Sequence, residues 1–259
     1  MKIIDTHCHI NDDKLLPIAK EVVSRALANG VVSCFNNGDS FASFDKIIGL
    51  SKTFKGFCYN VLGIHPEFAN ESNDYFFSSY HYIEEHQKEI KAIGEIGLDY
   101  HFSKNPLYVS NQKKRFIEQI RLAKKLHLPI VIHSRDADFD TLNIVKKELP
   151  PKIDLHCFSG SNEILKEYLK LPIEVHIGVG GVITFKNSRV LKEVVSKNDI
   201  KIFLTETDSP YLAPTPHRGE PNEPSYLPLI IKAIANIKNL PLEDCAATLY
   251  NNGAKFYGI

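Results

Sequence analysis

The nine residues Ala92-Ile93-Gly94-Glu95-Ile96-Gly97-Leu98-Asp99-Tyr100 decide the reading of the fold. They form a short apolar run holding one carboxylate, Glu95, between two glycines. Burying a charged side chain in such a run is costly unless something pairs with it. Glu95 therefore faces either water or a cation. Five other apolar runs, spread along the chain, also end in His or Asp, and this favours the cation. The chain reads as a scaffold that gathers those ends around Glu95.

Outward from that stretch, apolar runs alternate with segments of helical period. Lys2 to His9 reads as a strand, and Leu15 to Leu27 has its apolar residues at helical spacing before the stop at Gly30. Strands are predicted at 31–36, 56–63, 90–96, 128–132, 153–157, 173–177 and 201–205. Helices are predicted at 41–54, 74–87, 111–127, 139–149, 164–171 and 190–195, with two more closing the chain at 225–237 and 242–256. Eight strands, each followed by a helix, with no repeat, low-complexity tract or linker, predict a single α/β domain over residues 1–259. Its architecture is a parallel (β/α)8 TIM barrel. In such a barrel the functional groups sit at the C-terminal ends of the strands, where these His and Asp residues fall.

Bulk properties narrow the function. The 259 residues are 43% hydrophobic and 24% charged, enough for a large core in a globular protein. Lys+Arg and Asp+Glu are equal at 31 each, so global charge gives no argument for nucleic acid, and an anionic substrate must be met locally. The five cysteines are scattered with no CxxC pair, which supports neither a disulfide framework nor a thiolate zinc site. No signal-peptide core follows Met1, and no run approaches the roughly 20 apolar residues of a membrane span. A reduced, cytoplasmic setting without membrane contact is expected.

His7 and His9 are two apart on a strand and so share a face. Isolated, such a pair is as often two surface histidines as a chelate. Following an apolar strand, with partners elsewhere, it points to metal. Glu95 has two oxygens and is able to hold one cation with each. His133 closes Ile130-Val131-Ile132, and His156 sits in Asp154-Leu155-His156-Cys157-Phe158. Each alone reads as a satisfied core histidine; at consecutive strand ends the two together do not. Asp208 completes the set after Leu204-Thr205-Glu206-Thr207. Four His and two carboxylates fit two divalent cations sharing a bridging carboxylate.

With these residues in view, the chain resembles the TatD family of metal-dependent DNases in the amidohydrolase superfamily. The motifs run end to end: His7-Cys8-His9, Gly63-Ile64-His65-Pro66, Ile93 to Asp99, Ile132-His133-Ser134-Arg135, His156-Cys157-Phe158-Ser159-Gly160, Glu206-Thr207-Asp208-Ser209-Pro210 and Arg218 to Pro224. The resemblance implies a TIM barrel with metal ligands at His7, His9, Glu95, His133, His156 and Asp208. Glu95 takes the bridging place held by a modified lysine in many superfamily relatives. One departure is Ile10-Asn11-Asp12, where the family usually continues with Leu-Asp.

The residue roles expected are as follows. His7, His9, Glu95 and Asp208 hold one metal, and Glu95, His133 and His156 the other. Asp208 orients the attacking water and takes its proton. His65, Arg135 and Arg218 grip phosphate, with the planar fork of Arg135 suited to its oxygens. His65 has a second expected use, orienting Glu95, and Glu206 is expected to touch substrate or stand behind a ligand. Asp99 and Tyr100 rank lower as pocket residues. Lys113-Lys114-Arg115 reads as a solvated helix face. Gly178-Val179-Gly180-Gly181 lacks the Walker lysine and the dinucleotide spacing, so it reads as a close turn. Cys8 and Cys157 are expected to point away from the ligands as inert core residues.

Three functions compete. The first is a metal-dependent deoxyribonuclease that trims DNA ends or single strands, since zero net charge gives little grip on a long duplex. The second is a binuclear deacylase or amidohydrolase acting on aminoacyl-tRNA or a small amide or ester. The third is a metal-binding scaffold without activity, against which the intact ligand set argues. The ligands accept Zn, Mn, Mg, Fe or Ni.

Overall fold

The computed structural model describes residues 1–101 and 104–259. The strands are β1 (Ile3–Cys8), β2 (Val31–Asn37), β3 (Cys58–Leu62), β4 (Ile90–Asp99), β5 (Ile130–Arg135), β6 (Lys152–Leu155), β7 (Glu174–Val179) and β8 (Phe203–Thr205). They pair in parallel in that order, each with the next. The helices are α1 (Ala19–Ala28), α2 (Phe44–Thr53), α3 (Asn73–Glu85), α4 (Pro106–Leu126), α5 (Asp138–Glu148), α6 (Asn162–Leu169), α7 (Arg189–Lys197), α8 (Leu227–Lys238) and α9 (Leu242–Tyr257). The result is a TIM barrel, as the alternation of runs predicts.

The first and last strands are joined by bonds that run between side chains and backbone. Thr6 Oγ1 donates to Thr205 O (3.0 Å) and Thr205 Oγ1 donates to Ile4 O (3.3 Å). Just beyond the strands, Asp208 N donates to His7 O (2.9 Å) and His9 N to Ser209 O (2.8 Å). These bonds hold segments some two hundred positions apart in register at the C-terminal rim.

Two apolar layers support that rim. Outside the strands, Ile3, Ile93, Ile96, Ile130 and Ile132 pack with helix residues such as Val22, Ile47, Phe116 and Val145. Inside, Ile4, Phe35, Val61, Ala92, Val131 and Leu204 fill the barrel with Phe256 and Tyr257 of α9. The Tyr257 ring stacks on Phe35 with centroids 3.6 Å apart, and its hydroxyl donates to Thr6 O at 3.0 Å. A buried tyrosine needs such a partner for its polar end.

Strict alternation along β4 would send Glu95 and Ala92 to opposite faces. A bulge prevents this. Ile93 pairs with Ile130 and Ile96 with Ile132, so β4 carries one residue more than β5 between those rungs. An extra residue re-aims the side chains that follow it. Ala92 faces the interior, Glu95 faces the site, and Ile93, Ile96 and Leu98 all face the helices. A similar slip falls between Asp5 and Cys8 of β1, where His7 emerges. Gly97 has φ +147° and approaches β5 so closely that a Cβ would overlap His133 O. Only glycine suits that position.

Some boundaries differ from the sequence reading. β4 continues to Asp99 and β5 to Arg135, whereas β6 stops at Leu155 and leaves His156 just past its end. α4 begins five residues earlier than its apolar period suggests. Asn105 caps it by accepting from Leu107 N (2.9 Å), and Pro106 takes its first turn.

Candidate metal centre

The rim gathers five imidazoles, His65 among them, and three carboxylates into one cluster beside a cavity of about 730 Å³. His7 and His9 arrive from the end of β1, Glu95 and Asp99 from β4, His133 from β5, His156 from just past β6 and Asp208 from the turn after β8. Asp208 has φ 56°, a left-handed conformation that Asp tolerates better than most residues.

Glu95 is at the centre of the cluster. Its Oε2 lies 3.4 Å from His7 Nε2 and 3.8 Å from His9 Nε2. Its Oε1 lies 2.7 Å from His133 Nδ1, 3.7 Å from His156 Nε2 and 4.0 Å from His65 Nε2. The two oxygens thus face different sets of imidazoles. Asp208 Oδ1 closes the cluster at 3.4 Å from His9 Nε2, 3.7 Å from His156 Nε2 and 3.8 Å from His7 Nε2. The paired Nε2 atoms of His7 and His9 are 3.1 Å apart.

Tautomers follow from the outer nitrogens. His9 Nδ1 faces Asn37 O at 2.9 Å, and a carbonyl only accepts, so Nδ1 carries the proton and Nε2 turns a lone pair inward. His133 Nε2 is held by Asp99 Oδ2 at 2.9 Å. His65 Nδ1 accepts from Glu67 N (3.2 Å), leaving Nε2–H to point at the cavity. Second nitrogens tied to carbonyls or carboxylates are the usual support of metal-binding histidines.

Electrostatics divide the imidazoles. Burial opposes charging His133, but its bonds to Asp99 and Glu95 outweigh this and carry its pKa to about 9. Burial likewise opposes charging His156, and Glu206, Glu95 and Asp208 overcome it. His9 is raised against burial by Asp208. By contrast, burial and the neighbouring His156 lower His7, and burial and His133 push His65 down to about 4. Glu95 and Asp208 are held below the ordinary carboxylate range: burial opposes this, and the surrounding imidazoles, His156 foremost, prevail. Carboxylates so clustered require positive charge among them, and their field is what raises the pKa values of His9, His133 and His156 against burial. Divalent cations would supply the same charge to the same lone pairs. The donor set of nitrogen and carboxylate oxygen therefore fits them.

Other expected residues fall in different places. Arg135 lines the cavity, as does His65. Arg218 does not: its guanidinium lies over the Phe185 ring at 3.8 Å and donates to Ala213 O at 3.3 Å. The expected phosphate grip by Arg218 is corrected on that ground. Its motif is structural, since Asn222 Nδ2 donates to Thr207 O and Tyr211 O (both 2.7 Å) and Glu223 pairs with Arg25. Glu206 is wholly buried behind His156, which excludes the expected contact with substrate. Cys8 is a core residue, but Cys157 lines the cavity, correcting its expected burial. Its φ of 46° breaks the strand alternation on which that expectation rests. Asp99 was underrated, since it holds His133 and faces the cavity. Tyr100 turns away to donate to Asp140 Oδ2 (2.8 Å).

The sequence profile of the family described as TatD related DNase matches residues 4–258. The chain belongs to the TatD family. Among TatD-family relatives, a metal-dependent hydrolase of Bacillus subtilis (strain 168), YabD, is 35% identical over 99% of both chains. One of Methanocaldococcus jannaschii, MJ1582, is 33% identical over 99% of this chain and 97% of its own. The crystal structure of YjjV, a TatD homologue from Escherichia coli K12, superposes with a TM-score of 0.91 at 27% identity, covering 99% of this chain and 98% of that one. The protein is thus a TatD-family metal-dependent hydrolase. No helix among its described residues is long and apolar enough to cross a membrane, and its five cysteines are free.

Proposed function

We propose that this TatD-family hydrolase cleaves phosphodiester bonds at the ends of DNA, exonucleolytically, using two divalent cations. The observation that carries this reading is the division of Glu95, whose two oxygens face separate groups of imidazoles beside Asp208 and Arg135. His7, His9, Glu95 and Asp208 would hold one cation, and Glu95, His133 and His156 the other. When bound, such a pair of cations lowers the pKa of water and offsets charge on the phosphate oxygens.

The chain's own residues do the rest. Arg135, on the cavity wall, takes a non-bridging phosphate oxygen in its fork. His65, neutral near neutral pH, contributes a hydrogen bond from Nε2–H rather than a charge. Asp208, kept ionised by its neighbours, accepts the proton of the attacking water. Water oxygen then bonds to phosphorus, and the P–O bond to the departing sugar oxygen breaks in line. The wall on the side of β1 to β3 carries Asp12, Asp13, Asp39 and Glu67. Lys46 on that side is paired with Asp13 at 3.1 Å. A long polyanion laid across such a mouth is repelled, which favours an end presenting one phosphate.

That acidic wall also favours a second reading, hydrolysis of a small amide or ester. Incubation of protein loaded in turn with Zn, Mn, Mg, Fe or Ni with single-stranded DNA, duplex DNA and a simple ester separates them. Nucleotide release abolished by EDTA is expected. Ester cleavage without nucleotide release would replace the first reading by the second.

A further inference from the structure

We propose that Glu206 is a positioning residue that fixes the tautomer and aim of His156, and that the glycine at 178 exists to make room for it. The inference rests on the assignment of His156 as a ligand. Glu206 is 0% exposed, two residues ahead of Asp208 in the turn after β8. Its Oε1 accepts from Cys157 N at 2.6 Å, which anchors the carboxylate to the backbone beside His156. Its Oε2 then lies 3.1 Å from His156 Nδ1. Both atoms are buried and neither makes a hydrogen bond of good geometry to any described residue, so each is the nearest available partner of the other.

The space for this carboxylate is built. A Cβ at Gly178 of β7 would overlap Glu206 Oε2 and stand 2.5 Å from its Cδ. No side chain is accommodated there while Glu206 keeps its place. The imidazole is fixed on its other side too, stacked on the His7 ring with centroids 3.5 Å apart and planes 17° from parallel. With Nδ1–H given to Glu206, the lone pair of His156 Nε2 points at Glu95 and Asp208. A carboxylate behind a histidine ligand orients the ring and raises its basicity. Glu206 thus acts on the centre without touching it, from the same turn that supplies Asp208.

Glu206→Gln tests this without changing shape. The amide oxygen still accepts from Cys157 N, so the NH2 group faces His156 Nδ1. That makes Nδ1 an acceptor and moves the ring proton to Nε2, where it opposes a cation. Expected results for the variant are a 10–100-fold weaker Zn or Mn affinity at one of two sites, read by chelator competition. An altered Co(II) absorption spectrum and activity restored by excess metal are expected with it. Unchanged affinity and spectrum would overturn the proposal. Gly178→Ala should reproduce the loss, and its failure to do so would remove the second half of the claim. Should either variant fail to fold, long-range 1H–15N spectra of the zinc-loaded wild-type protein read the tautomer directly. Protonated Nδ1 with bare Nε2 on His156 supports the proposal, and the reverse refutes it. Wild-type protein that binds no cation would instead refute the ligand assignment itself, a result distinguishable from loss in the variant alone.

Discussion

Replacing Asp208 with Asn separates the base from the scaffold. Asn, like Asp, tolerates the left-handed φ of 56° found at this position. The bond from residue 208 N to His7 O (2.9 Å) uses the backbone and survives. What disappears is the carboxylate facing His9, His156 and His7 at 3.4–3.8 Å. The variant should therefore fold, bind cations more weakly and lack a proton acceptor for water. A positioned base contributes about 10²–10⁴-fold to rate, so kcat at saturating metal should fall by about that factor. Asp208→Ala should lose the same activity and, in addition, about 1 kcal/mol or more of stability from a residue ill suited to that φ. The assay is nucleotide release from a short single strand over a metal titration, with metal content measured on the same samples. If Asp208→Asn kept near-wild-type kcat at full metal occupancy, Asp208 would not be the base.

Other outcomes follow from single contacts. Arg135→Ala should reduce kcat/KM for a phosphodiester about 10–100-fold, the worth of one charged hydrogen-bonded pair, and leave a neutral ester unaffected. Arg218→Ala should leave both within about twofold while costing about 1 kcal/mol from its lost seat on Phe185; a KM effect would return Arg218 to the mouth. Gly97→Ala should lower the denaturant midpoint by the equivalent of about 3 kcal/mol, from backbone strain plus overlap with His133 O. His65 has a folded pKa of about 4 against an ordinary 6.5, so the unfolded chain binds the extra proton between those values. In chelated protein its contribution, about 3 kcal/mol, is complete above pH 6.5 and lost as pH falls to 4. His65→Asn, which retains an acceptor for Glu67 N, should flatten urea stability over that window by this amount; an unchanged slope would contradict it.

Much of this was legible because charge at the end of an apolar run is rare without a partner. The strand ends that carry His7, Glu95 and His133 declare themselves in that way. The bulge in β4 does not: it depends on pairing with β5, and one sequence shows no pairing. Gly97 to Asp99 resembles a turn by composition, so the last third of the strand, including Asp99, was undervalued. The start of α4 was marked by Asn105-Pro106 yet hidden in a polar stretch. Side-chain direction beyond β8 was the least readable. Glu206 and Asp208 have the same spacing as His7 and His9, but the chain leaves the strand at Thr205, and one carboxylate turns behind His156 while the other meets the cluster. Nothing in the local sequence around Arg218 announces that Phe185 lies beneath it.

The bonds from Asp208 N to His7 O and from His9 N to Ser209 O lie across the seam between the first and last strands. A cation gripped by His7, His9 and Asp208 would bind both lips of that seam at once and act as a clasp. Its binding energy would then resist unzipping of the whole cylinder, adding about 2.7 kcal/mol at a hundred times the dissociation constant. Starved of metal, the enzyme would lose heat resistance together with its turnover.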